Sequence, residues 1–198
     1  MSSYIFSPMP PTDAEHNTFV TWSDGFTVEE LDLIEQYCEN TLTVADAVVG
    51  KGTVDADIRI SKTAWISLTP DTEWFYDRMA WIARKLNSQF YRFDLTGFLE
   101  DFQYTIYDGS ETGHYDWHID SSSNDLSTRK FSMVLQLSES DTYEGGDLEI
   151  MAGNIPDVVK KQRGMISAFP AYRVHRVTPV TKGIRKTIVV WIAGPPFK

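Results

Sequence analysis

Two periodicities divide the chain. Thr27-Val-Glu-Glu30 reads as a capping box, ahead of apolar positions Leu31, Ile34, Tyr37 and Cys38, and predicts a helix over roughly 28–41. A second helix is expected after Asp71, its N-cap, with Phe75, Met79, Ile82, Ala83, Leu86 and Phe90 at helical spacing. Between them, residues 43–63 hold Gly50, Gly52 and scattered β-branched side chains and read as a hairpin or loop. After residue 97 the period drops to two. Phe102, Tyr104 and Ile106 alternate with Gln103, Thr105 and Tyr107, and Phe131, Met133, Leu135 and Leu137 alternate with Lys130, Ser132, Val134 and Gln136. Asp147–Met151, Met165–Phe169, Arg173–Thr178 and Arg185–Ala193 follow, set apart by Gly145-Gly146 (read as a hairpin turn), Gly153-Asn154, Gly164, Pro170 and Lys182-Gly183. About seven short strands with no helix between them indicate an antiparallel sandwich or barrel. The fold class is α+β, mainly β.

Composition narrows the picture. With 42% hydrophobic and 13% aromatic residues the 198-residue chain can bury a full core. The reading is a single domain over 1–198, in which 1–97 form an N-terminal arm and supporting helices and 98–194 the β core. Pro8, Pro10 and Pro11 mark the arm as extended, with His16 in solvent. One cysteine, Cys38, excludes a disulfide framework or a Cys-rich zinc site and suits a reducing compartment. The first residues have neither a basic start nor a long apolar run, and no 18 consecutive residues are apolar, so a cytoplasmic protein without a membrane span is expected. The net charge of −10 disfavours nucleic acid as a partner, because phosphate neutralisation needs a basic surface.

The chemistry gathers late in the chain. His118-Ile-Asp120 ends the segment Tyr115-Asp-Trp-His-Ile-Asp120, and residues two apart on a strand face the same way, so an imidazole and a carboxylate can share a metal. His175 lies in the later strand Arg173-Val-His-Arg-Val177. Two imidazoles and one carboxylate make a facial triad that leaves coordination positions open and suits non-haem Fe(II). With 28 acidic residues and four histidines, a His-x-Asp step alone also arises by chance as a surface pair. Arg185 shifts the balance. It shares a strand face with Thr187, Val189 and Trp191, and an arginine inside a barrel calls for a planar anion such as a carboxylate. Tyr107 and Tyr115 could add hydroxyl donors to the same ligand.

Four stretches carry a family resemblance: Gln103-Tyr-Thr-Ile-Tyr107, Tyr115-Asp-Trp-His-Ile-Asp120, Tyr143-Glu-Gly-Gly-Asp-Leu-Glu-Ile150 and His175-Arg-Val-Thr-Pro-Val-Thr-Lys-Gly-Ile-Arg185. In that order they resemble the Fe(II)/2-oxoglutarate-dependent dioxygenases, and within them the prolyl-4-hydroxylase-like branch, especially its compact bacterial and phage members. Arg59-Ile-Ser-Lys62, Trp65 and Phe93-Asp-Leu-Thr-Gly97 extend the likeness to roughly residues 57–194. The resemblance implies a double-stranded β-helix (jelly roll) supported by N-terminal helices. His118, Asp120 and His175 would bind Fe(II), and Arg185 would hold the distal carboxylate of 2-oxoglutarate. Tyr107 would touch the cosubstrate or substrate. Gln136 stands where some relatives place a tyrosine that supports the cosubstrate carboxylate. Tyr115, Trp191 and Arg173, the last as a steering charge, would belong to the substrate pocket. O2 completes the cosubstrates, with ascorbate a further candidate.

The implied reaction is hydroxylation of an unactivated C–H, first of all of a peptidyl proline, with release of succinate and CO2. A free amino acid or small metabolite is the alternative substrate, and a non-catalytic jelly-roll binding module the alternative class. A metalloprotease reading of His114-Tyr-Asp-Trp-His118 fails for want of a helix and of a Glu after the first His. Trp74, Trp81 and Phe90 read as core. Cys38 reads as an inert buried thiol, Arg176 and Lys160-Lys161 as surface charges. The segments near 46–62 and 121–128 read as loops beside the pocket.

Overall fold

A computed structural model describes residues 17–48, 53–121 and 124–197. The proline-rich arm with His16, and Gly50 and Gly52, lie outside the described residues. In chain order the elements are β1 (Val20–Trp22), α1 (Val28–Thr41), β2 (Ala45–Asp46), β3 (Arg59–Ile60), β4 (Lys62–Ile66), α2 (Glu73–Leu86), β5 (Phe102–Asp108), β6 (His114–His118), β7 (Arg129–Gln136), β8 (Tyr143–Gly145), β9 (Leu148–Met151), β10 (Pro156–Val158), β11 (Ile166–Pro170), β12 (His175–Val177) and β13 (Val180–Ala193). The major sheet runs β1-β11-β7-β13-β5-β4-β2, with β8 also paired to β13; the minor sheet runs β10-β9-β12-β6-β3. This is the expected jelly roll. No helix among the described residues is long and apolar enough to cross a membrane.

Helix α1 starts as its sequence demands: Thr27 Oγ1 accepts from the Glu30 amide (3.2 Å), and Glu30 Oε2 accepts from the Thr27 amide (2.9 Å). Asp71 does not cap α2. Thr72 precedes the helix, and its hydroxyl turns back to donate to the Ser67 carbonyl (2.7 Å). Segment 43–63 also differs from its reading. β2 pairs with β4 and extends the major sheet, while β3 extends the minor one, so strands lie between the two helices. β13 begins at Val180 and runs through Lys182-Gly183, which had been read as a break; Gly183 takes φ +71° beside an irregularity in the pairing. Gly145-Gly146 is not a hairpin turn. Both glycines take positive φ (75° and 63°) where the chain leaves β8 on the major sheet for β9 on the minor one.

The core is layered, and this places the site. Leu31, Ile34, Phe75, Met79, Ile82 and Leu86 of the helices pack on Phe102, Tyr104, Phe131, Met133, Leu135, Ile188, Val190 and Ile192 of the major sheet. The alternate residues of the same strands, Gln103, Thr105, Tyr107, Ser132, Val134, Gln136, Arg185, Thr187 and Trp191, point between the sheets and are also buried. Strands covered on one side by helices and on the other by the minor sheet thus hide both faces, and the inner face is polar. Trp74 and Trp81, read as core, are part-exposed on α2 instead; Trp81 meets Trp22 edge-on at 5.5 Å and Lys85 at 5.6 Å. Phe90 packs against the core, partly buried.

Phe102 is the keystone of the outer layer: fully buried, stacked on Tyr76 at 3.8 Å and edge-on to Phe75 at 5.4 Å. Phe102→Ala is expected to cost about 3–5 kcal/mol, because transfer and cavity costs add and the rigid sheet cannot collapse. Urea unfolding with an unchanged m-value is the measurement; a cost under about 1 kcal/mol would show that the helices re-seat. Cys38 is buried as expected, and burial, with Glu35 and Glu39 nearby, pushes its thiol up to about 12, so it carries almost no thiolate at neutral pH.

Candidate metal centre and its pocket

The register of β12 against β6 sets His175 directly across from His118, so both rings project from the minor sheet into the space between the sheets, with ring centroids 4.1 Å apart. Asp120 lies just beyond the end of β6 rather than on it, so the same-face argument for the pair holds only up to His118. Two other contacts deliver the carboxylate: the Asp120 amide donates to the Ala171 carbonyl (2.9 Å), and Ser132 Oγ on β7 donates to Asp120 Oδ2 (2.5 Å). Oδ1 then lies 3.7 Å from His118 Nε2, and Oδ2 lies 3.5 Å from His175 Nε2.

Both rings are held in the tautomer a metal requires. His118 Nδ1 lies 2.7 Å from the Asp116 carbonyl and His175 Nδ1 2.9 Å from the Arg173 carbonyl. A carbonyl oxygen only accepts, so each Nδ1 carries the proton and each Nε2 lone pair faces Asp120. One ligand atom from each of the three residues falls within 4.8 Å of the others. Burial, reinforced by His175, pushes His118 down to about 4. At neutral pH the His118–Asp120 approach is therefore not an ion pair but two bases side by side. Burial by itself would raise the Asp120 carboxyl, yet His175, His118 and the Ser132 hydroxyl hold it below its ordinary value. Two imidazole nitrogens and one carboxylate oxygen fit a divalent transition ion, and the donor set suits Fe(II).

The triad opens on a cavity of about 280 Å³, lined among others by Arg59, Gln103, Tyr107, Tyr115, Arg129, Arg185 and Trp191. Tyr115 stacks on His118 at 3.5 Å, and burial raises its phenol so that the hydroxyl stays protonated. Arg185, 3% exposed, reaches in from β13 beside Tyr107 (5.5 Å), and its buried Nε has no partner. Among the described residues no carboxylate pairs with it. Gly146 makes room for its stem, since a Cβ there would sit 3.0 Å from Arg185 Cδ. A buried guanidinium without an anion fits an anionic ligand such as the distal carboxylate of 2-oxoglutarate. Trp191 presents a second buried donor without a partner, Nε1.

The remaining candidates sit as follows. Gln136 is not on this cavity; its amide donates to the Tyr143 hydroxyl (3.0 Å) and the Ser138 carbonyl (3.1 Å), and it lines a small cleft behind Arg185. Arg173 is also off the cavity. The chain turns at Pro170–Arg173, where the Arg173 amide donates to the Pro170 carbonyl, so β12 starts only at His175 and Arg173 contributes its carbonyl rather than a charge. Arg176 faces outward, bonded to Glu149 and over Trp117. His114 is on strand β6, away from the triad, with Nδ1 on the Thr112 carbonyl (3.0 Å). Of the two loops expected beside the pocket, residues 49–52 and 122–123 lie outside the described residues, while Val48 and Leu126 next to them do line the cavity.

Sequence reasoning missed Arg129 and Ser132, and it gave Arg59 no role. Arg129 bonds both Glu100 oxygens through Nε (2.7 Å) and Nη2, and donates to the Asp120 carbonyl (3.2 Å). A legible signal existed: Ser132 and Arg59 are polar residues at strand positions whose alternation requires burial.

Among the described residues, the jelly roll thus holds a three-residue donor cluster between its sheets, with the buried Arg185 lining the same cavity. Residues 102–193 match the model of the 2OG-Fe(II) oxygenase superfamily, in line with the resemblance of the four motifs. Sequence relatives include PKHD-type hydroxylases of Synechococcus sp. (strain CC9311), 39% identical over 40% of this chain and 36% of the relative, and of Teredinibacter turnerae, 40% identical over 40% and 38%. The matching stretch thus spans well under half of those relatives' length. Among solved structures, a Pseudomonas putida prolyl-4-hydroxylase superposes with a TM-score of 0.70 (18% identity, 90% of this chain and 93% of that one). A prolyl hydroxylase from Trichoplax adhaerens, in complex with a hypoxia inducible factor peptide fragment, does so with 0.73 (17% identity, 89% and 84%). At such identities these likenesses establish the prolyl-4-hydroxylase-like fold.

Proposed function

We propose that the protein is an Fe(II)- and 2-oxoglutarate-dependent oxygenase that hydroxylates an unactivated C–H, with release of succinate and CO2. One observation carries this reading above all: the donor atoms of His118, Asp120 and His175 converge within 4.8 Å of one another beside a buried arginine that has no carboxylate partner among the described residues, in the same cavity. His118, Asp120 and His175 would hold the metal, whose chemistry with 2-oxoglutarate and O2 supplies the oxidising power. The chain's own work is placement. The Asp116 and Arg173 carbonyls fix the imidazole tautomers, and Ser132 orients the carboxylate. Arg185, backed by Tyr107, would receive the distal carboxylate of 2-oxoglutarate, with Gln136 acting behind it through Tyr143. Apolar walls from Val134, Leu148 and Val189 exclude water there. Tyr115 and Trp191 would face the substrate, with Trp65 beside Trp191 at 6.2 Å.

A peptidyl proline remains the first substrate, supported by the prolyl hydroxylases that share the fold. Anaerobic addition of Fe(II) and 2-oxoglutarate is expected to produce a weak visible charge-transfer band, and admission of O2 should yield succinate. Failure to bind both additives would refute the oxygenase reading in favour of a binding module. Mass spectrometry of a lysate after turnover, searched for products one oxygen atom heavier, separates peptides from small metabolites.

A further inference from the structure

Three arginines are buried in this protein: Arg59 (7% exposed), Arg129 (8%) and Arg185 (3%). All three line the one cavity. Arg129 is neutralised by Glu100, just as the more peripheral Arg78, Arg163 and Arg176 each have a carboxylate. Arg185 is left for the cosubstrate. Arg59 is the remaining case, and among the described residues no carboxylate pairs with it. Its side chain is nonetheless held firmly: Nε donates to Ser61 Oγ (2.7 Å), Nη2 donates to Gln103 Oε1 (3.1 Å), and the guanidinium lies over the Tyr115 ring at 4.6 Å. All these partners are neutral. They orient the cation without cancelling it, and among the described residues Nη1 has no acceptor.

Charge and distance both separate this group from the cosubstrate. Once a divalent metal and a dianionic cosubstrate are in place they cancel one another, Asp120 offsets Arg185, and one positive charge remains, that of Arg59. Arg59 bonds Gln103 while Arg185 lies against Tyr107, four residues further along β5, roughly 13 Å apart along the backbone at the rise of a strand. A five-carbon dicarboxylate held at the metal and at Arg185 has both its ends engaged and leaves Arg59 without an anion. Arg59 itself neighbours Tyr115, which stacks on His118.

We propose that Arg59 is a specificity-determining residue that receives an anionic group of the substrate, so that the molecule hydroxylated carries a carboxylate close to its reacting carbon. The proposal rests on the oxygenase reading above. The carboxylate has two sources, the α-carboxylate of a free amino acid or an acidic side chain in a peptide. Orphaned, pre-oriented guanidiniums favour a carboxylate through two charge-assisted hydrogen bonds, a preference of roughly tenfold or more over the matching amide.

The test uses the full chain loaded with Co(II) and 2-oxoglutarate, and calorimetric or saturation-transfer binding of two probe pairs. One pair is L-proline and L-prolinamide; the other is acetyl-Pro-Glu-amide and acetyl-Pro-Gln-amide. In at least one pair the acid should bind roughly tenfold or more tightly than its amide, and the pair that does so identifies the source. Arg59→Gln should abolish that preference and Arg59→Lys retain part of it, a split that a merely structural role would not produce. Equal binding of acid and amide, no binding of either acid, or a preference that survives Arg59→Gln would each overturn the proposal. Wild-type protein that fails to take up Co(II) and 2-oxoglutarate would instead overturn the oxygenase reading beneath it.

Discussion

Asp120→Asn is expected to lower turnover by roughly a thousandfold or more, because it removes the only anionic donor from the triad while keeping its shape. The folded apoprotein should lose only a little stability. Asp120 is buried and lies within 3.7 Å of both imidazoles, and the contacts that hold its carboxyl below its ordinary value against the cost of burial favour the folded state at neutral pH. Replacing it by a neutral isostere leaves Ser132 able to donate to the amide oxygen. The discriminating readout is therefore thermal unfolding with and without metal. Wild type should gain stability with Fe(II) or Co(II) according to RT ln(1 + [M]/Kd), whereas the variant should melt slightly lower without metal and gain nothing from it. His175→Ala should lose the metal too, but it also empties space against Phe169, 4.6 Å away, and should melt lower even without metal. Ser132→Ala is the graded case. Losing the 2.5 Å bond that orients the carboxylate should cost about 10–100-fold in metal affinity. A triad variant that kept both its metal and its turnover would place the reaction elsewhere.

The parts of this site that were legible in the sequence are those that chemistry restricts to a few residue types. A metal centre needs imidazoles and a carboxylate, and a cation in a barrel wall needs an anion, so His118, Asp120, His175 and Arg185 stood out by type and spacing. The α1 boundary was legible for the same reason, since a capping box is local. What failed was decided by tertiary contacts. Arg129 and Ser132 matter because β7 lies against Asp120; the strand alternation can mark Ser132 as a buried polar residue, but nothing local to residues 129–132 names Asp120 as the partner. Arg173 was placed by strand arithmetic and Gln136 by the family resemblance, and tertiary contacts set both off the cavity lining: the Gln136 amide bonds Tyr143, and the turn at Pro170 ends the regular alternation before Arg173. Gly145-Gly146 looked like a hairpin turn because two glycines satisfy a turn and a sheet-to-sheet crossing equally well. Trp81 reads as core by period, but it lies on an exposed part of α2 and packs edge-on against Trp22 instead.

Arg185 should show the second large effect, and with an unusual signature. Its guanidinium is 3% exposed with an unpartnered Nε, so the apoprotein carries a buried cation whose desolvation nothing offsets. Arg185→Ala removes that burden together with the ligand contact. The apo variant should melt no lower than wild type, while 2-oxoglutarate affinity falls by about a hundredfold, the worth of a bidentate charge-assisted pair. Stabilisation that wild type gains from the cosubstrate, about 2.7 kcal/mol at a hundred times Kd, should disappear with it. Arg185→Lys should recover only part, because a point charge replaces a planar fork. Gly146 offers an independent handle on the same contact. A methyl there would lie 2.8 Å from Val180 Cγ2 and 3.0 Å from Arg185 Cδ, at a backbone φ of +63°. Gly146→Ala should therefore cost about 1–2 kcal/mol in stability from backbone strain and also weaken cosubstrate binding by displacing the arginine stem. Arg185→Ala with unchanged 2-oxoglutarate affinity would mean that another group of the cavity holds the distal carboxylate.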